Sequence, residues 1–157
     1  MTKILLSAHV LAAIIAIGPV TVAASMFPAA VRRAQAAGGG SAASSVATVR
    51  LLHRICRVYA AVGITVPIFG FATASSLGVL TDPWLIASIA LTAAAAGILA
   101  LLVLPGQQAA LARLDEPGGS VERRTTVRLA MLTGVFNLLW AVVTVLMIVR
   151  PGSTTGV

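Results

Sequence analysis

The sequence predicts an all-α integral membrane protein, a single four-helix bundle, on three observations. Of 157 residues, 59% are hydrophobic and only 10% are charged, too little charge to wrap a water-soluble core of this size. Four stretches are long and apolar enough to cross ~30 Å of hydrocarbon at ~1.5 Å of helix rise per residue. The segments between them hold most of the arginines.

The first span, residues 4–26, contains "SAHVLAAIIAIGPVT", with His9 set in an oily run ahead of a Gly-Pro pair. Its basic start and small residues near Ala24 resemble a cleaved leader. The apolar run is longer than a leader needs, and its removal would leave both arginine-rich connections outside, so it is read as a span. Ala8, Ala12 and Ala16 form a narrow stripe for helix contact. Pro19 removes a backbone donor from the carbonyl of Ile15 and predicts a kink.

A first loop over 27–54 follows, with "AGGGSAASS" as a flexible Gly/Ser tract. At its end "RLLHRICRVY" places Arg50, His53, Arg54 and Arg57 on one helical face, read as an interfacial collar for lipid phosphate, with His53 a surface group. The second span, 55–77, carries Gly70 and Ala74, with Gly78 next in the same four-residue spacing, and Pro67, which predicts a second kink by freeing the Gly63 carbonyl. The tight turn "GVLTDP" leads to the third span, 84–104, where Trp84 suits an interfacial aromatic anchor and Ala93 to Gly97 are small enough to be gripped on several sides. A second long loop, 105–128, is polar, and a helix starting near Ser120 is expected to run into the fourth span, 129–149.

Orientation follows from the cations. Arg32, Arg33, Arg50, Arg54, Arg57, Arg113, Arg123, Arg124 and Arg128 flank the two long loops, against Lys3 and Arg150 on the other side, which puts the loops in the cytoplasm and both termini outside. The net charge of +7 sits beside oily segments, where anionic lipid headgroups rather than nucleic acid are the expected partner. The single cysteine, Cys56, excludes an intrachain disulfide or a cysteine-based metal cluster within one protomer.

Chemistry has few candidates. Residues at the depth of His9, about 7 Å into the span, are Thr73, Ser88 and Thr144, with Trp140 one turn deeper, a possible shallow polar ring and ligand-contacting region. Asn137 is the most central polar side chain and shares a stripe with Thr133, Trp140 and Thr144; its amide needs a partner inside the bundle. His9 and His53 lie roughly 20 Å or more apart along the helix rise and cannot share an iron. A hydroxyl such as that of Thr144 is the expected partner of a neutral His9, with haem b on His9 alone as the alternative. No carboxylate lies within a span, and no phosphate-binding loop, zinc-protease motif or nucleophile elbow is present, which argues against an enzyme and against carboxylate-based proton coupling.

The stretch "LLSAHVLAAIIAIGPVTVAASMFP", residues 5–28, resembles an uncharacterised bacterial family of four-span integral membrane proteins. More distantly, an early histidine followed by glycine is similar to copper-resistance protein D and to four-helix haem-binding protoporphyrinogen oxidase. That likeness implies haem or copper ligation by His9. The reading expected overall is a non-enzymatic inner-membrane protein that packs with itself or with a membrane partner. Its rivals are a redox or metal-handling protein built on His9 and a small-molecule permease built on the Pro19 and Pro67 bends.

Overall fold

Helix formation begins at Thr2 and runs without a break to Ala36, through both Pro19 and Pro28 (α1). This computed structural model describes residues 2–37 and 41–152. Five more α-helices follow: α2 (Ser41–Val62), α3 (Thr65–Leu77), α4 (Pro83–Gly97), α5 (Leu104–Asp115) and α6 (Arg123–Val149). A π-helical segment, Ile98–Val103, joins α4 to α5, and no strand occurs among the described residues. End to end these make four rods, Lys3–Ala36, Ser41–Leu77, Pro83–Asp115 and Arg123–Val149, each long and apolar enough to span a bilayer.

The longest rod has 37 residues, about 55 Å of helix, well beyond the ~30 Å a hydrocarbon core requires. That excess corrects the two expected loops. Helix occupies most of 27–54 and of 105–128, because these segments bury side chains. Phe27, Ala30, Val31 and Ala34 from α1 share one core with Val49, Leu52 and Cys56 from α2 and with Ala110 and Leu111 from α5. Of the expected flexible tract, Gly38 to Gly40 lie outside the described residues, and Ser41 to Ser45 are helical, with the hydroxyls of Ser44 and Ser45 donating to the Ser41 carbonyl.

Two true turns remain. At 78–82 the α3 C-terminus closes on Gly78, whose φ of +69° suits a residue without Cβ, while Val79 N–H reaches back to Ala74 O; Pro83 then opens α4. The tight turn expected there is present. At 116–122 the helix expected from Ser120 begins only at Arg123, because Val121 is buried and its carbonyl accepts a hydrogen bond from Gln35 Nε2 at 3.1 Å.

The prolines act differently from each other. α1 continues through Pro19, whereas the second rod loses its regular helical hydrogen bonding at Gly63 and Ile64, just ahead of Pro67, although Ile64 keeps helical backbone angles. There Val66 N–H takes the Gly63 carbonyl at 3.1 Å, and Thr65 Oγ1 donates to Val62 O at 2.7 Å. The π segment has a related origin. Pro105 brings no N–H, and Leu104 N–H donates five residues back to Leu99 O.

α1 is the central strut. It packs along α2 and α3 on one side and along α6 on the other; α6 carries α4 and the π segment, and α5 meets α2 at the arginine-rich end. The opposite end is closed by Trp84, which is buried, not displayed as an anchor: its Nε1–H donates to Asp82 Oδ2 at 3.0 Å and Arg150 lies 5.8 Å over its ring. Along the rods the exterior is apolar, with Ile4, Leu101 and Ile148 about three-quarters exposed, a surface suited to hydrocarbon and ill suited to water.

Candidate functional site

His9 faces α3. Its Nδ1 stands 3.0 Å from the carbonyl oxygen of Val66, and because a carbonyl only accepts, Nδ1 carries the proton and donates. The ring fits there because residue 70 is glycine: a Cβ at Gly70 would stand 2.9 Å from His9 Cε1. The histidine in the oily run is therefore a clasp between α1 and α3, and its partner is a backbone carbonyl instead of the expected hydroxyl. Gly70, read from sequence as part of a packing stripe, is the seat of that clasp.

The expected polar ring is not assembled. Thr73 and Ser88 are buried, yet their hydroxyls fold back on their own helices, to Phe69 O at 2.7 Å and Trp84 O at 2.8 Å. Thr144 is exposed and donates to Trp140 O at 2.8 Å, so it cannot serve His9. None of the four bonds another.

A second polar feature lies on α6. Asn137 Nδ2 donates to Ser25 Oγ at 3.2 Å, tying α6 to α1; the amide has an interhelical partner, but Ser25 is exposed, so the bond lies at the edge of the bundle and not inside it as expected. Trp140 meets Phe136 edge to face with ring centroids 6.3 Å apart. Among the described residues, Thr133 Oγ1, Asn137 Oδ1 and Trp140 Nε1 are buried without a hydrogen-bond partner, all on one stripe of α6. Each such atom is destabilising by about 1–3 kcal/mol unless it is satisfied.

The arginine collar needs correction. His53 is buried and its Nδ1 stands 3.1 Å from Gln107 Oε1, while Gln107 Nε2 points at Cys56 Sγ at 3.6 Å. An inward face of Val49, Leu52, His53 and Cys56 separates this histidine from Arg50, Arg54 and Arg57, which are exposed. His53 is thus a core link between α2 and α5 and leaves the lipid-phosphate set. Arg50 itself is bound to Asp115 at 2.5 Å, whereas Arg54 and Arg57 have no carboxylate partner among the described residues. Gln107 was hidden in sequence because 105–128 reads as a polar loop, and Ser25 because it is a small residue in a small-residue run.

His9 and His53 sit at opposite ends of the bundle, and among the described residues no three His, Cys, Asp or Glu side chains cluster as metal ligands. No family model, curated protein or solved structure matches the chain. Its residues alone therefore carry any functional reading.

Proposed function

We propose that this chain is a non-catalytic multi-pass protein of the bacterial inner membrane, with its arginine-rich end in the cytoplasm, that works by associating side by side with a second copy of itself. The observation that carries this reading is the outer face of α4. α4 buries Trp84, Leu85, Ser88 and Ala95 toward α6, and turns Ala90, Ala93 and Ala94 outward. Gly97 continues that lane, and a Cβ placed on it would meet nothing within 4 Å.

In hydrocarbon, apolar side chains gain little by leaving lipid for each other, so association relies on backbones that approach closely over small residues. The other two small-residue stripes are partly used within the chain: Gly70 seats His9, while Ala16 and Ala74 are buried. The α4 lane is left for a neighbour. A cysteine at Ala93, in a Cys56→Ser background, should crosslink chain to chain in membranes under mild oxidation. A cysteine at Ile148, which is 75% exposed on α6, should not. Equal crosslinking at both sites, or none at Ala93, would remove this reading.

The geometry of His9 favours one second reading. Nδ1–H is bonded to a backbone carbonyl, which leaves Nε2 as the nitrogen by which the ring would ligate, the arrangement usual for a ligating imidazole. His9 would hold haem b there, and the haem would supply one-electron redox chemistry. A haem absorption band in protein from haem-replete cells, lost in His9→Ala with helicity retained, would favour it; a wild type with no band would exclude it.

A further inference from the structure

At the arginine-rich end, an open groove of about 250 Å3 runs between the π segment with α5 on one side and α6 on the other, lined by Leu101, Pro105, Gly106, Thr125, Arg128 and Leu132. Its shape follows from two residues. Pro105 interrupts the ordinary helical bonding, and Gly106, lacking a side chain, lets Leu129 Cδ2 come within 2.8 Å of where a Cβ would stand. α6 thereby packs against bare backbone, and the groove lies beside that close contact.

The groove is polar at one end and oily at the other. Arg128 is the last charged residue before the uncharged run 129–149, and Leu132 lies one turn, about 6 Å, further along α6. The Arg128 guanidinium is exposed and has no carboxylate partner among the described residues, whose only ion pairs are Arg50 with Asp115 and Arg113 with Glu116. Arg124, one turn before it, is also exposed and has no carboxylate partner among the described residues. The half-buried Thr125 hydroxyl has no hydrogen-bond partner among the described residues.

We propose that this groove is a binding site for one anionic phospholipid, its phosphate on Arg128, its headgroup or ester oxygen on Thr125 and an acyl chain along Leu101 and Leu132. A free anion would have no use for the leucines, and a zwitterionic lipid, although it carries a phosphate, would bring its own cation beside Arg124 and Arg128. The site differs from the α2 arginines, of which Arg50 is taken by Asp115. The proposal rests on the membrane-spanning reading above.

The test uses the full chain in nanodiscs of equal phosphatidylglycerol and phosphatidylcholine, released into mild detergent, with retained lipid counted by native mass spectrometry. The chain should hold one phosphatidylglycerol in about fivefold preference, the scale one basic residue gives an anionic lipid at a membrane surface. Arg128→Gln should abolish the preference, whereas Arg32→Gln, an exposed arginine on α1 with no carboxylate partner among the described residues, should keep it; both side chains are exposed, so circular dichroism should match wild type. Equal retention of the two lipids, an unchanged preference in Arg128→Gln, an equal loss in Arg32→Gln, or a co-purifying polypeptide in place of lipid would each overturn the proposal. A chain recovered in water with no lipid at all would instead overturn the membrane reading itself.

Discussion

Gly70→Ala tests whether His9 is a clasp. The added methyl would stand 2.9 Å from His9 Cε1 and 3.3 Å from Nδ1, inside ordinary contact, so the ring must move. Two contributions oppose each other. Replacing glycine by alanine inside a helix is favourable by about 0.5–1 kcal/mol. Displacing the ring surrenders the hydrogen bond to Val66 O, about 0.5–1.5 kcal/mol, and overpacking adds about 1–3 kcal/mol where the ring cannot swing clear. If the ring is held, the net effect in wild type is a loss of up to about 2.5 kcal/mol, the overpacking less the helix gain. In a His9→Ala background no ring is present, and the same change should be neutral or stabilising. The quantity to measure is the coupling energy from a double-mutant cycle, by reversible unfolding in bicelles, with an expected value of about 1–3 kcal/mol. Additivity within about 0.5 kcal/mol would show that His9 and Gly70 do not touch, and the α1–α3 clasp would be wrong.

Other substitutions separate linked from idle polar groups. Gln107→Ala strands the buried His53 and leaves a void, and should lower stability by about 1–3 kcal/mol or more in the same unfolding assay. Arg50→Ala removes an ion pair whose side chains are 59% and 46% exposed, and the change should stay below about 1 kcal/mol. Asn137→Leu deletes the bond to Ser25 together with the unpartnered Oδ1, so it should be tolerated within about 1 kcal/mol, while Ser25→Ala, which leaves the amide wholly unpaired, should be worse. A larger loss for Asn137→Leu than for Ser25→Ala would mean that the Oδ1 atom has a partner of its own.

The four rods were legible because long uncharged runs are a one-dimensional signal, and the turn at Gly78 to Pro83 because glycine and proline act locally. The inward faces were not. A helix that is apolar all round, as α1, α3 and α6 nearly are, carries no contrast between lipid side and core side, so periodicity cannot orient it. Depth along the helix therefore groups Thr144 with His9 although Thr144 faces outward. The connections differ from their sequence pattern for another reason. Polarity marks where a chain leaves hydrocarbon, not where a helix ends, and α1 and α5 continue as helices because Phe27, Val31 and Gln107 find a core beyond that boundary. Spacing alone puts His53 among the arginines; the faces of α2 divide between it and them.

The claim beneath all of this is that four rods cross a bilayer with the arginine-rich end inside. Cys56 cannot report on it, since it is fully buried and would resist labelling on either side. Exposed cysteines at Ser44, near the arginine-rich end, and at Ser76, near the other, can do so in a Cys56→Ser background. With an impermeant maleimide on sealed spheroplasts, Ser76→Cys should label and Ser44→Cys should label only after permeabilisation. Labelling of Ser44→Cys in sealed spheroplasts, or release of the chain from membranes by a carbonate wash, would contradict the account.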